Sequence, residues 1–390
     1  MDVFEPAQLG ALRLRNRIIK AATYEGMSPG GVASAELESL HRDVARGGTA
    51  LTTVAYCAVS PDGRTFADQL FLRPESLAPL RALTTAVRNE GGLAGLQLAH
   101  AGFFSKLRRS DGSPPRGPSA TFNAYGTGAG LPWAGAMTAE DIRAVIQAFA
   151  DTARTARDLG FDALELHLGH GYLLSQFLSP ATNRRTDDYG GNLRNRARLP
   201  LEVVRAVRDA VGPEVALLAK INLDDGFKGG ATVEDAVELS RTLEHQGALD
   251  ALVLSGGFTS RSAFYLLRGG LPLGELAAAQ KTALERISMR VAGPILVKPY
   301  PFTPRFFAPL ARQIRDAVQM PLVALGGHLT RNDLHEARSD GFDFIALGRA
   351  LIADPDLPEK MSAGEMEGSR CVSCNRCIPQ ADLGGVRCVL

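Results

Sequence analysis

Apolar, β-branched runs alternate with amphipathic helical patterns eight times along this chain. Ile18–Tyr24, Ala50–Ala58, Leu93–Ala99, Ala163–Leu168, Val215–Asn222, Ala251–Ser255, Leu322–Leu325 and Phe342–Leu347 read as strands. Thr138–Leu159, Ala197–Val211 and Val233–Gln246 carry helical spacing between them, and Thr138 with Asp141 is placed as a capping box. Alternation on this scale predicts an α/β fold, a (β/α)8 TIM barrel. A doubly wound sheet stays open, because periodicity does not report whether a sheet closes. A ninth run, Ile295–Val297, is followed by Lys298-Pro299-Tyr300-Pro301 and is assigned to an excursion after the sixth strand, since two close prolines suit a loop or edge. Ala101–Met137, rich in Gly, Pro and Ser, is a second excursion, after the third strand. Long loops in a compact domain are usually functional, so both are expected to roof a site.

The 390 residues carry a formal net charge of +1, which makes no electrostatic case for nucleic acid or an anionic membrane. No apolar run reaches the roughly 18 residues that span a bilayer. The N-terminus, Met1-Asp2-Val3-Phe4-Glu5-Pro6, has neither a basic region nor an apolar signal core, so a cytoplasmic location is expected. The barrel is expected to occupy residues 1–360, with a cysteine-rich extension over 361–390.

His167-Leu168-Gly169-His170-Gly171-Tyr172 follows the fourth strand at the end where such barrels place their chemistry. Two imidazoles and a phenol within six residues gather hydrogen-bond donors and one acid; a metal pair or two structural histidines are the alternatives. Gly326-Gly327 and Gly348-Arg349 end the seventh and eighth strands, whose loops commonly hold phosphate. Gln97 ends the third strand, where a carboxamide can meet the edge of a flat heterocycle such as a flavin. Lys220 ends the fifth, where a cation can stabilise negative charge on that ring, or simply pair with Asp224 or Asp225 at the rim.

The tail reads Cys371-Val372-Ser373-Cys374-Asn375-Arg376-Cys377, with Cys388 after ten more residues. Without a secretion signal this crowding favours metal over disulfides. Three evenly spaced thiols with a remote fourth suit a [4Fe–4S] cluster, whereas zinc, the alternative, more often takes two separated pairs.

At this point the chain resembles the old yellow enzyme family of FMN-dependent oxidoreductases. The resemblance is carried by Asn16-Arg17-Ile18-Ile19, by Gln97 through Gly102, by Gly160 through Pro180, by Asn183 through Gly191, and by Ala346 through Pro355. It implies FMN at the barrel mouth, with Ala22, Thr23 and Tyr24 beside the ring, Gln97 on its pyrimidine edge and Lys220 near N1–O2. Gly326, Gly327, Gly348 and Arg349 would hold the phosphate, His167 and His170 the substrate's carbonyl oxygen, and Tyr172 would donate the proton. The activity implied is hydride transfer to an activated C=C bond of an α,β-unsaturated carbonyl compound, with NAD(P)H as reductant. The cysteine tail is similar to that of the trimethylamine dehydrogenase and 2,4-dienoyl-CoA reductase branch. That similarity leaves room for an oxidative desaturase or amine dehydrogenase, or a non-catalytic electron-transfer subunit, with a partner protein taking electrons. A homo-oligomer is a further possibility. Two features depart from the family pattern: Ala21-Ala22-Thr23-Tyr24-Glu25 follows the first strand, and Lys220 stands where arginine is common. Tyr24 and Tyr56 are expected to narrow the substrate pocket, and Glu25 to add an acid there.

Overall fold

In the computed structural model, which describes residues 2–280 and 283–390, the eight runs form one closed parallel barrel. Its strands are β1 (Ile18–Lys20), β2 (Leu51–Ala58), β3 (Leu93–Ala99), β4 (Ala163–Leu168), β5 (Ala216–Asn222), β6 (Ala251–Ser255), β7 (Leu322–Leu325) and β8 (Phe344–Leu347). Each pairs with its neighbours in chain order and β8 closes onto β1, so the doubly wound alternative is excluded. Each strand is followed by a helix, in order α1 (Ala35–Arg46), α2 (Pro74–Asn89), α3 (Ala139–Asp158), α4 (Arg198–Val211), α5 (Val233–Gln246), α6 (Ala308–Ala317), α7 (Arg331–Ser339) and α8 (Arg349–Ala353).

Period-two alternation divides the core in two. Residues such as Leu164, Leu166, Ala219 and Ile221 pack outward under the helices. Ala163, Leu218, Val253 and Phe344 fill the barrel, with Leu9 and Leu14 of an N-terminal hairpin in the same cluster. A strand buried on both faces must be apolar on both, which is why these runs are continuous rather than alternating. The caps behave as their chemistry requires: Thr138 and Asp141 exchange hydrogen bonds in a capping box that opens α3.

The largest differences from the sequence reading fall at three places. The first strand ends at Lys20 rather than Tyr24, because the chain turns there to meet the tail: the Val386 amide donates to the Glu25 carbonyl at 2.7 Å. Ile295 and Leu296 end a helix, Ala283–Leu296, inside the excursion after β6. The excursion after β3 is not bare loop: it builds a small three-stranded sheet from Arg116–Gly117, Thr121–Phe122 and Trp133–Ala136. No helix of the described residues is long and apolar enough to cross a membrane.

Candidate active site at the barrel mouth

Parity along the strands decides what enters the barrel. Glu165 and His167 share the inward face of β4 with Ala163, Gln97 that of β3, and Lys220 that of β5. Gln97 and Glu165 are register partners, and the Gln97 amide donates to Glu165 Oε1 at 2.5 Å. Lys220 Nζ sits 2.8 Å from the same oxygen, so its partner is neither Asp224 nor Asp225. Asp225 instead accepts from Asn222 Nδ2 and from the Ala231 amide, both at 2.8 Å. With its NH2 group engaged by Glu165, Gln97 keeps its carbonyl oxygen for a ligand N–H. Sequence reasoning missed Glu165, although two places before His167 on an inward strand face was a legible position.

Above this network lies the histidine–tyrosine motif. His170 has φ 56°, a left-handed conformation that is costly for a side-chain-bearing residue. It is held there by Asn222 Oδ1, which accepts from the His170 amide at 2.9 Å, and by the Thr259 amide donating to the His170 carbonyl at 2.9 Å. The Gly169 amide donates to His167 Nδ1 at 3.4 Å, which assigns the proton to Nε2 and makes that nitrogen a donor. His170 Nε2 lies 2.7 Å from Ser255 Oγ, leaving Nδ1 for a ligand. The rings are 4.9 Å apart and nearly perpendicular, so the two histidines converge on the mouth but are anchored differently. Burial, with repulsion from Lys220, holds His170 near 3 and His167 well below the ordinary imidazole range. Both are therefore neutral at physiological pH.

Tyr172 lies flat on His167, with centroids 4.4 Å apart, and burial raises its pKa well above that of a free phenol. The Tyr56 ring meets Tyr172 edge-on, with centroids 5.1 Å apart. Tyr56 reaches this position through a register shift between Val54 and Cys57 in β2, a bulge that re-aims one side chain. Tyr24 packs on Tyr56 at 5.6 Å and on Phe66 at 5.2 Å, which joins it through Tyr56 to the aromatic cluster around Tyr172. Phe103 and Phe104 from the excursion after β3, and Phe258 from that after β6, complete an apolar wall with Tyr172. Glu25 does not join it. Its carboxylate turns behind the strand to Lys20 at 2.8 Å and the Ala55 amide at 3.2 Å, because the odd–even step at Lys20 points outward beneath α1.

On the far side of the mouth, Gly326 (φ 102°) and Gly327 (φ 83°) turn so tightly that a Cβ would stand 2.6 Å from the Phe307 ring and 2.8 Å from Phe306. Only glycine fits, and such a turn lets backbone amides close on a phosphate. Gly348 adjoins Thr23, whose methyl would be 3.3 Å from an added Cβ, so the ends of β8 and β1 meet. Ala22 is half-buried in the same stretch. Arg349 departs from expectation: its guanidinium donates to the Arg268 carbonyl at 3.0 Å and to the Asn375 side chain, facing the cysteine tail rather than the glycine pair. The tail supplies the oxygens that draw it away. Arg268, which sequence reasoning missed, stands 5.0 Å above Phe306 beside that pair. A buried amide and cation on one side and a glycine-only turn on the other fit a flavin ring and its phosphate.

Cys371, Cys374, Cys377 and Cys388 line one hollow with Arg349 and Asn375, and all are free. Ser373 (φ 54°) and Asn375 (φ 62°) flank Cys374 in left-handed conformations, curling the chain around it. Burial pushes the Cys377 thiol up to about 11 against the opposing pull of Arg349. Among the described residues no group of three or more His, Cys, Asp or Glu is arranged to hold a metal ion.

Residues 2–253 match the NADH:flavin oxidoreductase / NADH oxidase family. Over 389 residues the chain is 44% identical to 4,4'-dithiodibutanoate disulfide reductase of Rhodococcus erythropolis, covering 100% of this chain and 95% of that protein. It is 33% identical to a metal reductase of Desulforamulus reducens, covering 96% of this chain and 51% of the relative. Among solved structures, a 2-naphthoyl-CoA reductase complex superposes with a TM-score of 0.82 over 99% of this chain and 56% of the other, at 23% identity, and so speaks for the fold alone. The chain thus spans about half the length of some relatives and nearly all of another. By matching residues and by fold, the chain belongs to the NADH:flavin oxidoreductase / NADH oxidase family, and it is a flavin-dependent oxidoreductase whose family cofactor is FMN.

Proposed function

We propose that this chain delivers a hydride, drawn from NAD(P)H, to a small electrophile bound over His167 and His170, the first candidate being the activated C=C bond of an α,β-unsaturated carbonyl compound. The observation that carries this reading is the stack of Tyr172 on His167, a phenol kept protonated by burial above a neutral imidazole donor. FMN, held by Gln97, Lys220 and the Gly326-Gly327 turn, would supply the hydride. The protein's own residues do the rest. His167 Nε2–H and His170 Nδ1 orient the carbonyl and stabilise the charge that builds on its oxygen. Tyr172 gives its proton to the carbon next to the carbonyl, a step general acids accelerate by about 10²–10⁴-fold. The aromatic wall keeps water away.

A disulfide is the second candidate, favoured by the relative at 44% identity that is named for reducing one. Hydride attack on one sulfur would release the other as a thiolate, and Tyr172 could protonate it. Mixing anaerobically reduced, flavin-loaded protein with an enone and, separately, with a linear disulfide dicarboxylate distinguishes the two. Rapid flavin reoxidation by one, slowed at least tenfold in Tyr172→Phe, is the expected result. Reoxidation by neither would sink the reading.

Four cysteines lining one hollow, three of them spaced by two residues with a remote fourth, support a [4Fe–4S] cluster over zinc, and with it a route to an electron-transfer partner. Iron and acid-labile sulfide in protein purified without oxygen would support the cluster; stoichiometric zinc would replace it.

A further inference from the structure

The aromatic wall beside His170 carries a cation that the chemistry above does not use. The turn Phe258–Ser262 is fastened to the active-site loop: the Thr259 amide donates to the His170 carbonyl, and Phe258 forms a β-bridge with His170. The Phe258 ring fills the space where a side chain on Gly171 would stand. Against this wall the Arg261 guanidinium lies 5.0 Å from the Phe227 centroid and 5.9 Å from that of Phe258. Stacking on two rings fixes the plane of the fork and leaves its N–H edges for a ligand.

No carboxylate among the described residues forms an ion pair with Arg261. Asp225, the acid whose charge acts on it, is buried, with both oxygens committed to Asn222 and the Ala231 amide. Arg184 adds a second positive charge nearby while its guanidinium is held by the Ala120 carbonyl at 2.8 Å. Arg261 thus meets a second cation and one acid whose oxygens are already committed. A planar, stacked guanidinium is matched best by the two oxygens of a carboxylate.

We propose that Arg261 is a specificity-determining residue that binds a carboxylate on the electrophile, so that the preferred acceptors are organic acids rather than neutral molecules. This rests on the reading that the electrophile lies over His167 and His170. The same anionic contact could come from the 2'-phosphate of NADPH, and the experiment separates the two.

Oxidised, flavin-loaded wild type, Arg261→Met and Arg261→Lys are titrated with 4-hydroxybenzoate and with its methyl ester, following the flavin absorption band. Neither ligand can be reduced, so the result does not depend on turnover. The acid should bind about 10- to 100-fold more weakly to Arg261→Met, the range for losing a charge-assisted hydrogen bond, with partial recovery in Arg261→Lys. The ester should change less than twofold. Equal losses for acid and ester, or no loss for either, overturn the proposal. So does a rise in KM for NADPH but not NADH with acid binding intact, which gives the arginine to the nicotinamide cofactor. Reduction of 4-oxopent-2-enoate or of a disulfide dicarboxylate is assayed separately. Failure of wild type there removes the functional reading while the titration still decides Arg261.

Discussion

Two buried lysine–glutamate pairs, each with Nζ and Oε1 2.8 Å apart, sit near the same end of the barrel and do different work. Lys220 and Glu165 face inward. The Glu165 oxygen is shared with Gln97, and the pair forms the floor of the proposed flavin site. Lys20 and Glu25 face outward, sealed beneath α1, where His41 Nε2 lies 3.6 Å from the same carboxylate oxygen that Lys20 holds. Ile19 packs inside the barrel and Ile18 outside, so Lys20 is an outward residue, whereas Leu218 and Ala216 place Lys220 inward. One step of strand parity separates a cation that faces the barrel interior from one sealed under the helices. The outward pair still touches the chemistry: the second Glu25 oxygen accepts the Ala55 amide inside the β2 bulge that aims Tyr56 at Tyr172.

The largest expected effect tests the outward pair. Lys20→Met leaves the Glu25 carboxylate buried without its cation, a type of change that costs about 3–5 kcal/mol. Denaturant unfolding of the flavin-loaded protein measures it, and a loss under about 1 kcal/mol would break the contrast drawn above. The same cluster contributes to a pH window, together with the buried His100 and His328, which burial also lowers to about 4. Burial pushes the Glu25 pKa up, but Lys20 and His41 pull it below the ordinary carboxylate value overall. Its contribution is therefore present above that range and lost as pH falls through the lowered value. Burial lowers His41 from 6.5 to about 4, so the unfolded chain takes up that proton first and stability declines as pH drops across this interval. A midpoint independent of pH between 6.5 and 4 would contradict the assignment.

Most of the barrel was legible because its signal is local: apolar runs, capping residues and glycine stops repeat at the period of each element. β4 was readable to the residue, since Gly160 ends the helix before it and His167 announces the mouth. What failed depends on contacts distant in sequence. Nothing near Lys220 points to Glu165, 55 positions earlier, although their strands are neighbours in the barrel. Glu25 looked like a pocket acid because the strand was carried on to Tyr24; ending it at Lys20 changes where every later side chain points. Arg349 lies next to a glycine that suits a phosphate, yet Asn375 and the Arg268 carbonyl outweigh that adjacency.

A smaller effect tests the inward pair. Glu165→Gln keeps the shape and removes the charge, leaving Lys220 uncompensated next to the ring. The stability loss should be about 1.5–3 kcal/mol, the scale of a charged hydrogen bond, and below that of Lys20→Met because this pair borders a site where a bound anion can compensate. Removing a negative charge there favours the reduced, more anionic flavin, so the midpoint potential should rise. Spectroelectrochemistry reads it. An unchanged potential, with FMN bound as in wild type, would make Glu165 only a structural partner and erase the difference between the pairs.

The smallest effect concerns how the two histidines are held. Ser255, fully buried at the end of β6, is the partner of His170 Nε2, whereas His167 takes its orientation from the Gly169 backbone amide. A side-chain anchor can be deleted and a backbone anchor cannot, so the paired imidazoles should respond unequally. Ser255→Ala removes one neutral hydrogen bond, about 0.5–1.5 kcal/mol, and frees the ring to turn. Ligand affinity should fall about two- to tenfold, with the flavin potential unchanged, because nothing in the Gln97–Glu165–Lys220 network moves. Phenol titration in the variant measures the first and a redox titration the second. A shifted potential would mean that the mouth and its floor act as one unit, and the distinction between substrate-holding and flavin-holding residues would then have to be drawn elsewhere.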